Sequence, residues 1–334
     1  MGELKKAVQF AQTGHPPDVV EIVDMETDPV GPGDVLLDVE AAAINPPHLL
    51  TLAGGYGVQP ELPAVPGGEG IGMVVAVGDA VTDVKLGERV MIPLYSGGCW
   101  RQQIVVPAER ATVKFPPEGD PIQLSMIMAN PPAAWQLLNT VVDLEPGDWV
   151  IQNAANSAVG NYLMQLASIY GFHTVNVVRR EGLEDQIAEA RGDICIVDGP
   201  DLGERVKAAT NGADIKLAVD AVGGEATQHL ADSLAEDGVI VSYGLLSGEP
   251  CSLSPKDIIF RNVRLQGMWT SKWLQGRGST PESRAAVYDE LRGYILDGRL
   301  SARIDATYPL AQIKEAVTHG MNQRDGKVII LPNA

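Results

Sequence analysis

From Trp149 to Arg180 the chain sets two apolar runs either side of a small-residue turn and a stretch of helical spacing. Val150 and Ile151 leave a Pro146-Gly147-Asp148 turn and predict a buried strand. Asn153–Gly160 is a run of small and polar residues. Tyr162, Leu163, Leu166, Ile169 and Tyr170 then recur at helical spacing. Thr174–Val178 is the second apolar run and ends on Arg179-Arg180. Strand, turn, helix and strand within about 30 residues make one βαβ unit.

On either side the rhythm differs. Residues 4–120 read as short β-runs punctuated by Pro and Gly: Ala7–Phe10, Val19–Val23, Val35–Val39, Ile71–Val77, Arg89–Ile92, Ile104–Val106 and Ala111–Val113. Asn45–Leu62 reads as a loop. Helical spacing starts at Leu124–Leu138, and strands then alternate with helices as far as Val263–Met268. That alternation predicts a doubly wound parallel sheet. A polar loop, Gln275–Ser279, precedes a helix over 281–297, a strand over 303–306, a helix over 309–321 and a last strand, Lys327–Leu331. The expected domains are 1–122, 123–273 and a return to the first domain over 274–334.

The turn after Val150-Ile151 places a helix N-terminus at the carboxyl end of a parallel strand, where free N–H groups and the helix dipole attract a diphosphate. The three glycine positions of the dinucleotide fingerprint fall on Ala155, Ser157 and Gly160, so only the last is glycine. An acid after the second strand would bind a ribose hydroxyl, and an arginine there accommodates a 2′-phosphate. Arg179 and Arg180 stand there with no acid before Glu181, which predicts NADP(H). Asp220–Gly224 and Tyr243-Gly244 end two further strands and are candidate cofactor contacts.

The 334 residues carry a net charge of −18, which excludes a nucleic-acid-binding face and disfavours anionic membranes. The three cysteines, Cys99, Cys195 and Cys251, lie far apart and suggest neither a disulfide framework nor a metal site. A reducing compartment fits this pattern. The first residues show no signal-peptide core, so a cytoplasmic location is expected.

A β-rich domain, a six-stranded nucleotide domain and a returning tail together resemble the medium-chain dehydrogenase/reductase superfamily. Its zinc members place a Gly-His-Glu segment at the metal; here the segment is Gly67-Gly68-Glu69, and the structural-zinc cysteines are absent. The chain is therefore similar to the zinc-free branch, with no metal expected. Within that branch Gly55-Tyr56-Gly57, Pro60–Pro63, Val150–Ala154, Asn176–Arg179, Asn130-Pro131, Gly98–Arg101, Tyr243-Gly244 and Gly267–Trp273 resemble the mitochondrial-type trans-2-enoyl-thioester reductases. Two departures are Asn45-Pro46-Pro47-His48, where the family has Asn-Pro-Ser-Asp, and Met268, where it has an aromatic.

The resemblance implies a GroES-like β-barrel catalytic domain with a Rossmann cofactor domain, and NADPH as cofactor. It implies Tyr56 as catalytic residue and Trp269 beside the substrate. It also implies cofactor contacts at Asn45, Asn130, Asn156, Ser157, Ala158, Val159, Arg179, Arg180, Tyr243, Gly244, Met268, Trp269 and Lys327. The substrate would be an acyl thioester on coenzyme A or acyl carrier protein, and the assembly a homodimer. Hydride added to the β-carbon of an enoyl thioester drives charge onto the thioester oxygen, where a protonated phenol such as Tyr56 can stabilise it. Two other readings are an NADPH:quinone oxidoreductase of the zeta-crystallin type, which needs no such acid, and a non-catalytic NADPH-binding protein. Cys99 has no base near it in sequence, and Glu69 reads as a structural acceptor.

Overall fold

The computed structural model describes residues 4–322 and 325–334. By its internal contacts the chain divides into two units: Met1–Ala129 with Thr280–Ala334, and Asn130–Ser279. The first unit opens with β1 (Leu4–Gln9), α1 (Pro16–Val19), β2 (Glu21–Glu26), β3 (Asp34–Ala43), α2 (Pro46–Ala53) and β4 (Gly70–Val77). It continues through β5 (Arg89–Met91), β6 (Gln103–Pro107), β7 (Lys114–Phe115) and α3 (Pro121–Leu124). The second unit holds α4 (Asn130–Asn139), β8 (Trp149–Gln152), α5 (Ala158–Tyr170), β9 (His173–Val178), α6 (Glu184–Glu189), β10 (Ile194–Val197) and α7 (Leu202–Ala209). It goes on with β11 (Leu217–Asp220), α8 (Glu225–Asp232), β12 (Val239–Ser242), α9 (Pro255–Phe260), β13 (Arg264–Gly267) and α10 (Thr270–Leu274). The first unit closes with α11 (Pro281–Leu296), β14 (Ile304–Pro309), α12 (Ile313–Met321) and β15 (Lys327–Leu331).

In the first unit β1 and β2 form a separate antiparallel ribbon. The remaining strands make a seven-stranded sheet, ordered β14-β15-β3-β4-β5-β7, with β6 also on β3. β3 is long enough to share one edge between β6, along Asp34–Asp38, and β15, at Ala42 and Ala43, while β4 takes the other. Its side chains alternate over the first half: Val35, Leu37 and Val39 are wholly buried between half-buried neighbours, and Ala41, Ala42 and Ala43 are then all buried. The hydrogen-bonded path ends at β14 and β7, so among the described residues the GroES-like unit does not close into the expected barrel.

Three local expectations are corrected here. Val19 ends a short helix begun by Pro16 and Pro17, and strand pairing starts only at Glu21. Ala111–Val113 forms no strand; pairing begins at Lys114. The first half of the expected loop Asn45–Leu62 is α2, because Pro46 and Pro47 occupy the first turn, where no intrahelical N–H is needed. Gly54 ends that helix at φ 82°.

The second unit is a six-stranded sheet, ordered β10-β9-β8-β11-β12-β13 and parallel throughout. In chain order that is 3-2-1-4-5-6, the arrangement of nucleotide-binding sheets. β11 is buried throughout and β9 beyond His173, as expected of a parallel sheet flanked by helices. Connections reverse direction between β8 and β11, which opens a crevice at their carboxyl ends. β13 is exposed along its whole length and forms a free edge.

Candidate functional site

The crevice is built from the ends of three neighbouring strands. Beyond β8, Asn153 donates through Nδ2 to Asp220 Oδ1 at 2.7 Å and accepts the Ala221 N–H at 2.7 Å. Asp220 Oδ1 also takes the N–H groups of Val222 and Gly223 at 2.9 and 3.0 Å, and Oδ2 takes the Thr227 hydroxyl at 2.6 Å. This wholly buried carboxylate therefore sets the turn after β11 and the start of α8. The Tyr243 N–H, after β12, reaches the Asp220 carbonyl at 2.9 Å.

Between Asn153 and α5 the chain turns through Ala154 at φ 47°. Ser157 caps α5, accepting the Gly160 N–H at 3.2 Å. Gly160 is the one fingerprint position that demands glycine: a Cβ there would lie 2.4 Å from the Ala155 carbonyl oxygen. Asn156, Ser157, Ala158 and Val159 stay half-exposed at the positive end of the helix dipole. The Tyr243 phenol hydrogen-bonds Ser157, and burial pushes its pKa up to about 12, so it stays protonated. Gly244 lies against the Ala221 backbone.

The structure thus brings together Ser157, Tyr243 and Gly244 among the expected cofactor residues. Arg179 and Arg180 are exposed at the carboxyl end of β9. Asn130 is the first residue of α4. Met268 and Trp269 follow β13, with Trp269 exposed and Lys272 Nζ 5.0 Å from its ring centroid. Trp273 is buried, its ring 6.3 Å from that of Trp135. The turn Ala154–Val159, the capped helix and the two arginines fit a phosphorylated dinucleotide. The residue-level reading missed Asn153 and Thr227, which act on the crevice only through Asp220; a polar residue closing a buried apolar strand was the available signal.

In the first unit a second polar cluster lies at the start of α2. Lys327 Nζ donates to Asn45 Oδ1, Asn45 Nδ2 donates to Glu69 Oε1, and the Ala129 N–H reaches Glu69 Oε2 at 3.1 Å. Asn45, Glu69 and Lys327 are 4%, 0% and 3% exposed. Burial pushes the Glu69 carboxyl up to about 7 against the opposing pull of Lys327 and Asn45. His48 Nε2 accepts the Gly68 N–H at 2.9 Å. A neutral ring accepts at one nitrogen only, so the assigned tautomer carries its proton on Nδ1, facing the Ala43 carbonyl, with the Asn45 N–H at 3.3 Å. Burial and then the charge on Lys327 lower the His48 pKa to about 3. Its ring meets Trp100 edge-on at 5.9 Å. Burial raises the Cys99 thiol to about 12, which makes it a poor nucleophile.

α2 runs from this cluster to Tyr56, which follows the Gly54 cap. The Tyr56 N–H reaches the Leu50 carbonyl at 3.2 Å, and Gln59 Nε2 reaches the Tyr56 carbonyl at 3.0 Å. Tyr56 is half-buried.

Glu69 carries a pH signature. Its folded-state value of about 7 exceeds the ordinary 4.5, so the folded chain holds the proton more tightly than the unfolded one. The resulting stability is complete below 4.5 and is lost as pH rises through 7. Thermal melts across that range are expected to show a fall in midpoint that Glu69→Gln removes; an unchanged pH slope in the variant would contradict the assignment.

Residues 31–117 match the alcohol dehydrogenase GroES-like domain, and residues 158–285 match the zinc-binding dehydrogenase domain. The mitochondrial enoyl-[acyl-carrier-protein] reductase of Caenorhabditis elegans is 35% identical over 323 residues, 94% of this chain and 91% of that one. The human enzyme of the same name is 33% identical, over 95% of this chain and 85% of its own. A putative NADPH:quinone reductase from Bacillus thuringiensis superposes with a TM-score of 0.89 at 27% identity, covering 99% of each chain. The Etr1p/NADP/crotonyl-CoA complex shares the fold, with a TM-score of 0.87 at 23% identity, covering 98% of this chain and 100% of that one. The nematode and human reductases are named mitochondrial, which overturns the cytoplasmic location expected from the first residues. By its likeness to them over nearly its whole length, the chain belongs to the mitochondrial-type enoyl-[acyl-carrier-protein] reductase family of medium-chain dehydrogenase/reductases.

Proposed function

We propose that this chain reduces trans-2-enoyl thioesters to acyl thioesters with NADPH, without zinc. The observation that carries the reading is the full-length likeness to enoyl-[acyl-carrier-protein] reductases, joined to a crevice suited to a phosphorylated dinucleotide. The cofactor, when bound, supplies hydride to the substrate β-carbon. Asn156, Ser157, Ala158 and Val159 offer their backbone to its diphosphate, and Arg179 with Arg180 meets the 2′-phosphate. Tyr243, Gly244, Asn130, Met268, Trp269, Asn45 and Lys327 complete the proposed cofactor contacts.

Tyr56 is the proposed acid. Its phenol donates a hydrogen bond to the thioester oxygen as the enolate forms, stabilising the transition state more than the ground state, and the enolate then takes up a proton at its α-carbon to give the acyl thioester. Trp269 lies beside the substrate in this reading. Tyr56→Phe is expected to lower kcat on crotonyl-CoA by about 100-fold or more, the scale of losing one such donor, while NADPH still quenches tryptophan fluorescence. Unchanged turnover would remove Tyr56 from the mechanism.

The likeness to a putative NADPH:quinone reductase favours a second reading. A quinone accepts hydride without a dedicated acid, so side-by-side assays with crotonyl-CoA and a naphthoquinone separate the two. Cofactor choice has its own test: Arg179→Ala should weaken NADPH binding by about tenfold while NADH changes little, on the scale of one charge-assisted contact. Equal losses for both cofactors would undo the phosphate assignment.

The working assembly in this reading is a homodimer. β13 presents its backbone as an open sheet edge, and Ile258, Ile259 and Phe260 of the preceding α9 are exposed beside it in sequence. Leu265→Asp on that edge should shift the particle mass in light scattering toward the monomer; a retained dimer would place the interface elsewhere.

A further inference from the structure

We propose that Lys272 and Arg277 form the contact for the phosphorylated carrier of the acyl thioester, a proposal that rests on the enoyl-thioester reading above. Both coenzyme A and acyl carrier protein present the thioester on a phosphopantetheine arm. Both are polyanions, and this chain, with 43 acidic residues and a net charge of −18, repels them unless cations stand where they dock.

The stretch from Ile258 to Pro281 provides such a place. It contains no Asp or Glu and carries Arg261, Arg264, Lys272 and Arg277. Two of the four have other duties. Arg261 pairs with Asp257 at 2.7 Å and donates to the Ala231 and Leu234 carbonyls. Arg264 lies on the β13 edge. Lys272 and Arg277 have no ion pair among the described residues, whereas Arg89, Arg205, Arg292, Arg299 and Arg303 each pair with an acid.

The two free cations are also held in place. Lys272 Nζ stands 5.0 Å from the centre of the Trp269 ring, a cation–π contact beside the residue proposed to flank the substrate. Arg277 is exposed on a turn whose flanking glycines take φ values of 98° and 73° at Gly276 and Gly278. That turn is tied back to α10: the Arg277 N–H reaches the Lys272 carbonyl at 2.9 Å, and the Ser279 hydroxyl reaches the Trp273 carbonyl at 2.6 Å. Trp273 in turn packs on Trp135. An ammonium on α10 and a guanidinium on the turn tied to it lose little freedom on meeting phosphate oxygens.

The test compares the full chain with its Lys272→Gln/Arg277→Gln variant on three crotonyl thioesters, those of coenzyme A, acyl carrier protein and phosphate-free pantetheine, at low and physiological salt. The variant is expected to lose about tenfold or more in kcat/KM on crotonyl-CoA, mostly through KM. The loss on crotonyl-pantetheine should be several-fold smaller, and the salt dependence seen with crotonyl-CoA should flatten. Arg277→Lys, which keeps the charge, should retain most of that salt dependence. A loss on both carriers assigns the pair to the pantetheine phosphate they share, and a loss on coenzyme A alone assigns it to the phosphoadenosine. Equal losses on crotonyl-CoA and crotonyl-pantetheine, or no loss on crotonyl-CoA, would overturn the proposal. A wild-type chain inert on all three thioesters overturns the parent reading as well, and is seen before any variant is made.

Discussion

A buried carboxylate with no cation beside it holds the dinucleotide end of the second unit together. Asp220 is wholly buried, and no ion pair reaches it among the described residues. An ionised carboxylate out of water is costly unless its lone pairs are taken up. Four donors take them up here, from Asn153, Val222, Gly223 and Thr227. Each donor belongs to a segment that must be placed: the end of β8, the turn after β11 and the first turn of α8. Satisfying the charge and positioning the crevice are therefore one event. The switch point between β8 and β11 is where the topology opens the sheet, and Asp220 keeps that opening in a single geometry.

The first unit meets the same difficulty with a different device. Glu69 has a neighbouring ammonium, and the Asn45 amide links the two, accepting from Lys327 Nζ and donating to Glu69 Oε1. Burial outweighs the lowering pull of that ammonium and raises the Glu69 carboxyl. His48 belongs to the same economy. A cation at that position would face Lys327, so the ring stays neutral and spends its nitrogens on the Gly68 N–H and the Ala43 carbonyl. At the third position of α2 its backbone N–H reaches the Asn45 carbonyl at 2.9 Å, and α2 delivers the chain to Tyr56.

What was legible in the sequence divides along the same lines. Elements whose apolar positions are periodic and whose ends are punctuated could be read: β8, α5 and β15 fall where the pattern put them. α2 could not, because Pro46-Pro47 looks like a break and becomes a start only when Asn45 is held by Glu69 and Lys327, which lie far off in sequence. The open path between β14 and β7 was hidden for a similar reason, since pairing between distant strands leaves no local trace. Within the crevice, the turn, the arginines and Tyr243-Gly244 were visible as residues at strand ends. The Asn153–Asp220 bond that organises them joins two strands that are adjacent only in the folded sheet.

The distribution of charge gives these sites a common logic. A chain with a net charge of −18 must admit a phosphorylated dinucleotide and, in the reading argued here, a phosphorylated acyl carrier. Long-range attraction is of no help, so each anion has to be met locally. For the dinucleotide, residues 149–180 contain no acid at all, and in the proposed reading the positive end of α5 is joined by Arg179 and Arg180. Residues 258–281 repeat the arrangement with Lys272 and Arg277 in place of a helix end. Excluding acids from a stretch matters as much as adding bases, because one carboxylate within ion-pair range would occupy the cation and remove it from the ligand's reach. Arg261 shows this outcome: Asp257, one helical turn away, has taken it for structure.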